Sequence, residues 1–145
     1  LGNHPPIWTD RASDRNAAHI LVDSVKRIAG QRPVIGILGM ERKGETEGFL
    51  EEFCPAAQIV FTISTESGYG AYELAEQIQK IQPNVTAVDS SEEALEIAGL
   101  FAGEGQTTGN EMPVLVIVCP RKAQEKMRKV ISDWKMPRSW QHQRS

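Results

Sequence analysis

The chain has no apolar segment of membrane-spanning length and only two cysteines among its 145 residues. Its longest apolar run, residues 114–118, has the length of a β-strand, whereas a membrane helix needs about 20 apolar residues. Cys54 and Cys119 are far apart in the sequence and lack metal-ligand spacing, so both are predicted to be buried free thiols. We therefore predict a cytoplasmic protein without a disulfide framework and without a membrane partner.

An excess of basic residues is also missing, because Lys and Arg total 16 while Asp and Glu total 19, which gives a formal net charge of −3. Nucleic-acid-binding domains usually carry a strong basic excess, so no nucleic-acid partner is predicted. The three histidines, His4, His19 and His142, are scattered and match no catalytic or zinc-binding pattern. The residues thus indicate neither a catalytic group nor a metal site.

What the chain does have is a regular alternation of strand-length apolar runs with segments of helical period. The predicted strands cover 7–9, 34–38, 59–63, 85–88 and 114–118, and the predicted helices cover 17–28, 45–53, 71–81, 92–101 and 121–134. This alternation predicts a three-layer α/β/α fold with a mostly parallel, Rossmann-like sheet of five to six strands. Residues 1–136 are predicted to form one domain, and residues 137–145 a mobile C-terminal tail.

Two local patterns make this prediction more specific. The apolar face of the first helix is predicted to consist of Ala17, Ile20, Leu21, Ser24, Val25 and Ile28, with Gly30 ending the helix. Ser90, with Glu93 three residues later, fits a capping box at the start of the fourth helix.

Ligands of such sheets bind beyond the carboxyl ends of the strands, where loops connect strands to helices. The predicted loops at that edge cover 10–16, 39–45, 64–70, 89–91 and 119–122. In the first loop, Asp10 could accept hydrogen bonds from sugar hydroxyls beside a helix N-terminus that suits an anion. The alternative, which the pattern alone favours, is that Ser13 or Asp14 caps the helix.

The next two loops also allow two interpretations each. Lys43 could contact a carboxylate or a phosphate, although a lysine in such a loop is more often solvated. The segment 64–70, which contains Ser67, is rich in hydroxyls and glycine and could bind a small polar ligand through backbone N–H groups. For this segment we favour a flexible connection with a helix cap.

Five short motifs follow one another along the chain in a characteristic order. They are Asp-Arg-Ala-Ser-Asp-Arg-Asn-Ala at 10–17, Ile-Gly-Ile-Leu-Gly-Met at 35–40, Ala-Tyr-Glu-Leu-Ala-Glu at 71–76, Glu-Glu-Ala-Leu-Glu-Ile at 92–97 and Val-Leu-Val-Ile-Val at 114–118. Their order resembles that of the C-terminal domain of the Mur ligase family, in particular of folylpolyglutamate and dihydrofolate synthases, whose first motif is Asp-Gly-Ala-His-Asn-Pro-x-Ala. The resemblance covers nearly the whole chain.

The resemblance implies an ATP-dependent carboxylate–amine ligase that joins glutamate to a carboxylate through an acyl phosphate. ATP with magnesium would be the cofactor of a longer protein, and none would be bound by this domain alone. The implied partners are a central ATPase domain of the same longer chain and a small-molecule substrate. The implied nucleotide contacts are Asp10, Ser13 and Asp14, and the implied amino-acid contacts are Lys43 and Ser67.

Several family positions differ in this chain, and the differences leave other functions open. Ser13, Asp14 and Arg15 replace the family's His, Asn and Pro, and residues 65–67 replace its Asn-Pro-Arg-like loop. Because a site of buried hydrogen bonds tolerates such replacements poorly, a degenerate, non-enzymatic binding or assembly module is the alternative. A third hypothesis is an unrelated small-ligand or nucleotide-sensing α/β domain. The chain opens on Leu1 without a phosphate loop, so we expect a fragment that does not catalyse ligation alone.

Overall fold

The computed structural model describes residues 7–9, 14–41, 46–65, 68–101 and 113–133. Strands and helices alternate strictly along these residues, as predicted. The strands are β1 (Ile7–Thr9), β2 (Val34–Leu38), β3 (Ile59–Thr62), β4 (Val85–Ala87) and β5 (Val114–Val118). The helices are α1 (Arg15–Ala29), α2 (Thr46–Phe53), α3 (Ala71–Gln79), α4 (Ser91–Phe101) and α5 (Arg121–Asp133). The predicted mobile tail, 137–145, lies outside the described residues.

All five strands form one parallel sheet in the order β1-β5-β2-β3-β4. The chain therefore moves from β2 outward to β4 and then returns to insert β5 between β1 and β2. The last residues of the strands lie level, because Val118 is paired with both Thr9 and Leu38, and Thr62 with both Leu38 and Ala87. The sheet thus has one even carboxyl edge, and the predicted parallel α/β class is confirmed.

The two faces of the sheet bury separate apolar clusters, since successive side chains of a strand point to opposite faces. On one face, α1, α2 and α3 pack against Val34, Leu38 and Val116. On the other face, α4 and α5 pack against Ile35 and Ile37. Strands β2 and β5 are buried at every position, as their continuous apolar sequences predicted.

The prediction of which face of α1 is buried is wrong. The face that is buried is rotated about the helix axis relative to the predicted one. Helix α1 buries Ala18, Val22, Val25 and Ala29, whereas Ile20 is 58% and Ile28 38% exposed. Of the predicted residues, Val25 is buried and Ala17, Leu21 and Ser24 are partly buried. We attribute the rotation to packing, because small alanine side chains let α1 lie close to its neighbours and bulky isoleucines would hold it away.

Local start and stop signals are confirmed. Helix α1 is followed by Gly30, whose φ of 60° is a positive value that glycine adopts readily. Before α4, the Ser90 hydroxyl accepts the Glu93 N–H at 3.1 Å, and the Glu93 carboxylate accepts the N–H of Asp89 at 2.8 Å. This is the predicted capping box, with its second bond made one residue earlier than usual.

The two cysteines are buried and unpaired with each other, as predicted. Burial raises the pKa of the Cys54 thiol from 9.0 to about 12, so this side chain is protonated at neutral pH. A protonated thiol is a poor nucleophile, and Cys54 therefore acts as an apolar core residue. Within the part of the chain that the structure describes, no helix has the length and hydropathy needed to cross a membrane.

Candidate functional site

The carboxyl edge of the sheet is where the direction of the connections changes. The loops after β1 and β2 lead to helices on one face, whereas the loop after β5, which lies between them, leads to α5 on the other face. The connections on the two sides of β5 therefore lead to the face opposite that of its own connection, which makes both sides of β5 topological switch points. Ligands of open parallel sheets bind at such switch points.

Two loops at this edge are joined by a set of contacts that we call the loop clasp, formed by Met40, Glu41, Thr65, Gly68 and Tyr69. The Met40 carbonyl oxygen accepts the Tyr69 N–H at 3.0 Å and the Thr65 hydroxyl at 3.2 Å. Glu41 and Gly68 form an isolated antiparallel bridge. The loop after β2 and the loop after β3 are thus held together close to the strand ends.

Gly68 makes the loop clasp possible because no other residue fits its position. A Cβ atom there would lie 2.0 Å from the Met40 carbonyl oxygen and 2.2 Å from the Thr65 Oγ1. On the other side of the loop, the Ser64 hydroxyl accepts the Ala71 N–H at 2.9 Å, which supplies the predicted helix cap of α3. The described ends of segment 64–70 are therefore held by hydrogen bonds.

Of the predicted site residues, the structure describes only Asp14. Its Oδ1 atom accepts the Ala17 N–H at 2.8 Å, so Asp14 is the N-cap of α1, which was the alternative interpretation. Asp10, Ser13, Lys43 and Ser67 lie outside the described residues.

A nucleotide would need donors and cations at this position. Asp14 presents a carboxylate whose Oδ1 is already used by the helix, and its negative charge would repel a phosphate. The described residues contain no group of three or more side chains able to hold a metal ion.

Arg15 ties the start of α1 to α2. Its guanidinium donates to the Glu51 carboxylate, and it lies 3.7 Å from the carboxylate of Glu52. The ring of His19, one turn later, lies 3.3 Å from the same Glu52 carboxylate. Sequence reasoning missed these pairs because nothing local links two helices that are separated by a strand.

A cavity of about 720 Å³ opens beside the carboxyl edge, between α2 and α3. It includes Tyr69 of the loop clasp and Arg15 at the start of α1, and it extends along α2 and α3. The cavity is lined by Arg15, Thr46, Glu47, Gly48, Leu50, Glu51, Tyr69, Gln77, Lys80 and Ile81. Sequence reasoning did not single out this groove, and its lining is recognisable only once α2 and α3 are placed side by side.

Comparisons with known proteins find the fold among solved structures only. No protein-family model and no curated protein sequence matches the chain. Folylpolyglutamate synthase from Thermotoga maritima matches 97% of this chain at 17% identity with a TM-score of 0.66. A domain described as part of a UDP-N-acetylmuramate:L-alanyl-γ-D-glutamyl-meso-diaminopimelate ligase from Haemophilus ducreyi matches 91% of this chain at 14% identity with a TM-score of 0.53.

These likenesses show that the chain has the fold of a Mur-ligase-like C-terminal domain, as the sequence resemblance predicted. The chain spans 31% of the length of the folylpolyglutamate synthase and 98% of the length of the second domain. At these identities the likeness concerns the fold.

Proposed function

We propose that the chain is the C-terminal domain of a cytoplasmic, ATP-dependent amide ligase similar to folylpolyglutamate synthase. In this proposal a central domain of the same longer chain holds the nucleotide with magnesium, and the present domain closes over it and helps to position glutamate. The observation that carries the proposal is the match of 97% of this chain to less than a third of a folylpolyglutamate synthase, together with motifs in the same order.

The geometry of the carboxyl edge supports a role in positioning. The strands end level there, and the loop clasp fixes the segments after β2 and β3. Lys43 follows Glu41 by two residues and Ser67 directly precedes Gly68, so both proposed glutamate contacts are neighbours in sequence of clasp residues. Since placing a reactant correctly removes much of its entropic barrier, segments held together in this way suit a domain that contributes positioning rather than a reacting group.

The test uses the longer chain. Its coding sequence upstream of Leu1 should contain a phosphate-binding loop of the Gly-Lys-Thr/Ser kind. In a ligation assay, Asp10→Ala should lower kcat/KM for ATP by about tenfold or more, because a carboxylate hydrogen bond to the ribose is lost. Asp23→Ala, on the exposed side of α1, is the matched control and should leave kcat/KM unchanged. Absence of the phosphate-binding loop, or equal activity of both variants, would refute the proposal.

A second candidate is a degenerate binding or assembly module that kept the fold and lost the ligase site. It is favoured by the internal use of two residues at family positions, since Asp14 caps α1 and Arg15 pairs with Glu51. Calorimetric titration of the longer chain with ADP and glutamate separates the two candidates. Saturable binding that Asp10→Ala abolishes supports the ligase, and absence of binding together with absence of ligation supports the module.

A further inference from the structure

The groove between α2 and α3 combines a small apolar floor with polar walls. Leu50 is buried, and Ile81 and Tyr69 are partly buried, so they offer apolar surface at its base. Gln77, on α3, adds an exposed amide that can both donate and accept hydrogen bonds. With about 720 Å³, the groove is large enough for a ligand of short-peptide size.

The charges that line the groove cancel, but they are not all paired. Arg15 and Lys80 are balanced by Glu47 and Glu51. Arg15 and Glu51 bond to each other. Lys80, directly after α3, and Glu47, in the first turn of α2, make no ion pair with any residue in the described ranges. Apart from the Arg15–Glu51 pair, the groove therefore presents one positive side chain, Lys80, and one negative side chain, Glu47.

We propose that this groove binds a zwitterionic ligand of amino-acid or short-peptide size, with its carboxylate at Lys80 and its ammonium group at Glu47. Such a ligand satisfies both charges at once, and charge-assisted hydrogen bonds are the stronger kind. A polyphosphate or a dicarboxylate would bring negative charge toward Glu47 and Glu51, so neither fits. This site lies between α2 and α3 and not at the switch points beside β5, and the inference holds whether or not the proposed ligase function does.

Because Glu47 and Lys80 are exposed, the expected affinity is weak, with a Kd on the order of 1 mM. The test compares three peptides that differ only in charge: trialanine, N-acetyl-trialanine without the ammonium group, and trialanine amide without the carboxylate. In an NMR titration of the chain, trialanine should bind about fivefold tighter than either of the others, with shift changes centred on the groove.

Protein variants test whether the ligand carboxylate contacts Lys80 and the ligand ammonium group contacts Glu47. Lys80→Gln should weaken binding of trialanine about fivefold and leave trialanine amide unaffected, since that peptide has no carboxylate to lose a partner. Glu47→Gln should weaken trialanine similarly and leave N-acetyl-trialanine unaffected. Lys126→Gln and Glu125→Gln, on exposed positions of α5 across the sheet, are matched controls and should change nothing.

Each outcome decides the proposal. The proposal is supported if removing a side-chain charge weakens binding of trialanine but has no effect on the peptide that already lacks the charge paired with that side chain. Equal affinity for all three peptides, shift changes confined to residues outside the groove, or equal effects of the groove and control variants would overturn it. Exposed substitutions of this kind usually change stability by less than about 0.5 kcal/mol, so loss of folding should not interfere, and the unfolding midpoint of each variant verifies this.

Discussion

Gly68 is the single residue on which the geometry of the carboxyl edge depends most directly. Its missing side chain lets the Met40 carbonyl oxygen and the Thr65 hydroxyl meet across the two loops. Gly70, two residues later, has open space around its Cα and begins α3 with an extended backbone. Two glycines that look alike in the sequence therefore have different roles, one required by close approach and the other tolerant of a side chain.

Gly68→Ala should lower the free energy of unfolding by about 1–3 kcal/mol, because its Cβ atom forces the clasp residues apart. Gly70→Ala is the control, and it should cost less than about 1 kcal/mol, since only the helix-capping preference changes. Urea denaturation followed by circular dichroism measures both. Equal loss in the two variants would mean that the close approach at Gly68 does not contribute to stability.

The ends of helix α1 could be predicted from its own sequence, whereas its buried face depends on the elements that pack against it. Its period, its N-cap and its final glycine are local signals, so its existence and its ends could be predicted from the sequence. Which side it buries could not, because the apolar residues of α1 form two overlapping stripes. Packing against α2 and the sheet selected the stripe with Ala18 and Ala29 and left Ile20 exposed. The same limit applies to the Arg15–Glu51 pair, which depends on the placement of α2.

The N-cap of α1 gives a prediction at the scale of an element. Asp14→Ala should destabilise the domain by about 1 kcal/mol, because the Ala17 N–H loses its acceptor at the helix start. Asp14→Ser keeps a capping oxygen and should retain nearly all of the stability while removing the negative charge. Thermal unfolding at constant pH compares the three proteins. Similar losses for alanine and serine would indicate that charge at Asp14, and not capping, stabilises α1.

For the whole molecule, the fold class could be predicted from the sequence, but the order of the strands in the sheet could not. Alternating apolar runs and helical periods suffice for a parallel α/β sheet, because each crossover has a preferred hand. The insertion of β5 between β1 and β2 depends on pairings between distant segments, which periodicity does not encode. The candidate site was likewise only partly predictable. The sequence placed it at the carboxyl edge, but the loop clasp and the groove between α2 and α3 are formed by elements that are distant in sequence and meet only in the folded chain.

The sheet separates two apolar clusters, and the central strands contribute to both, so the domain should unfold as one unit. Ile78→Val on α3 and Ile37→Val on β2 each remove one buried methylene from opposite faces, and each should cost about 1 kcal/mol. Because the two sites share no partner cluster, their costs should add to within about 0.5 kcal/mol in the double variant.

Hydrogen exchange of amides in α3 and in α5 provides the sharper measurement, because each substitution should lower protection in both helices equally. Protection lost only in the helix on the substituted face would show instead that the two layers open independently.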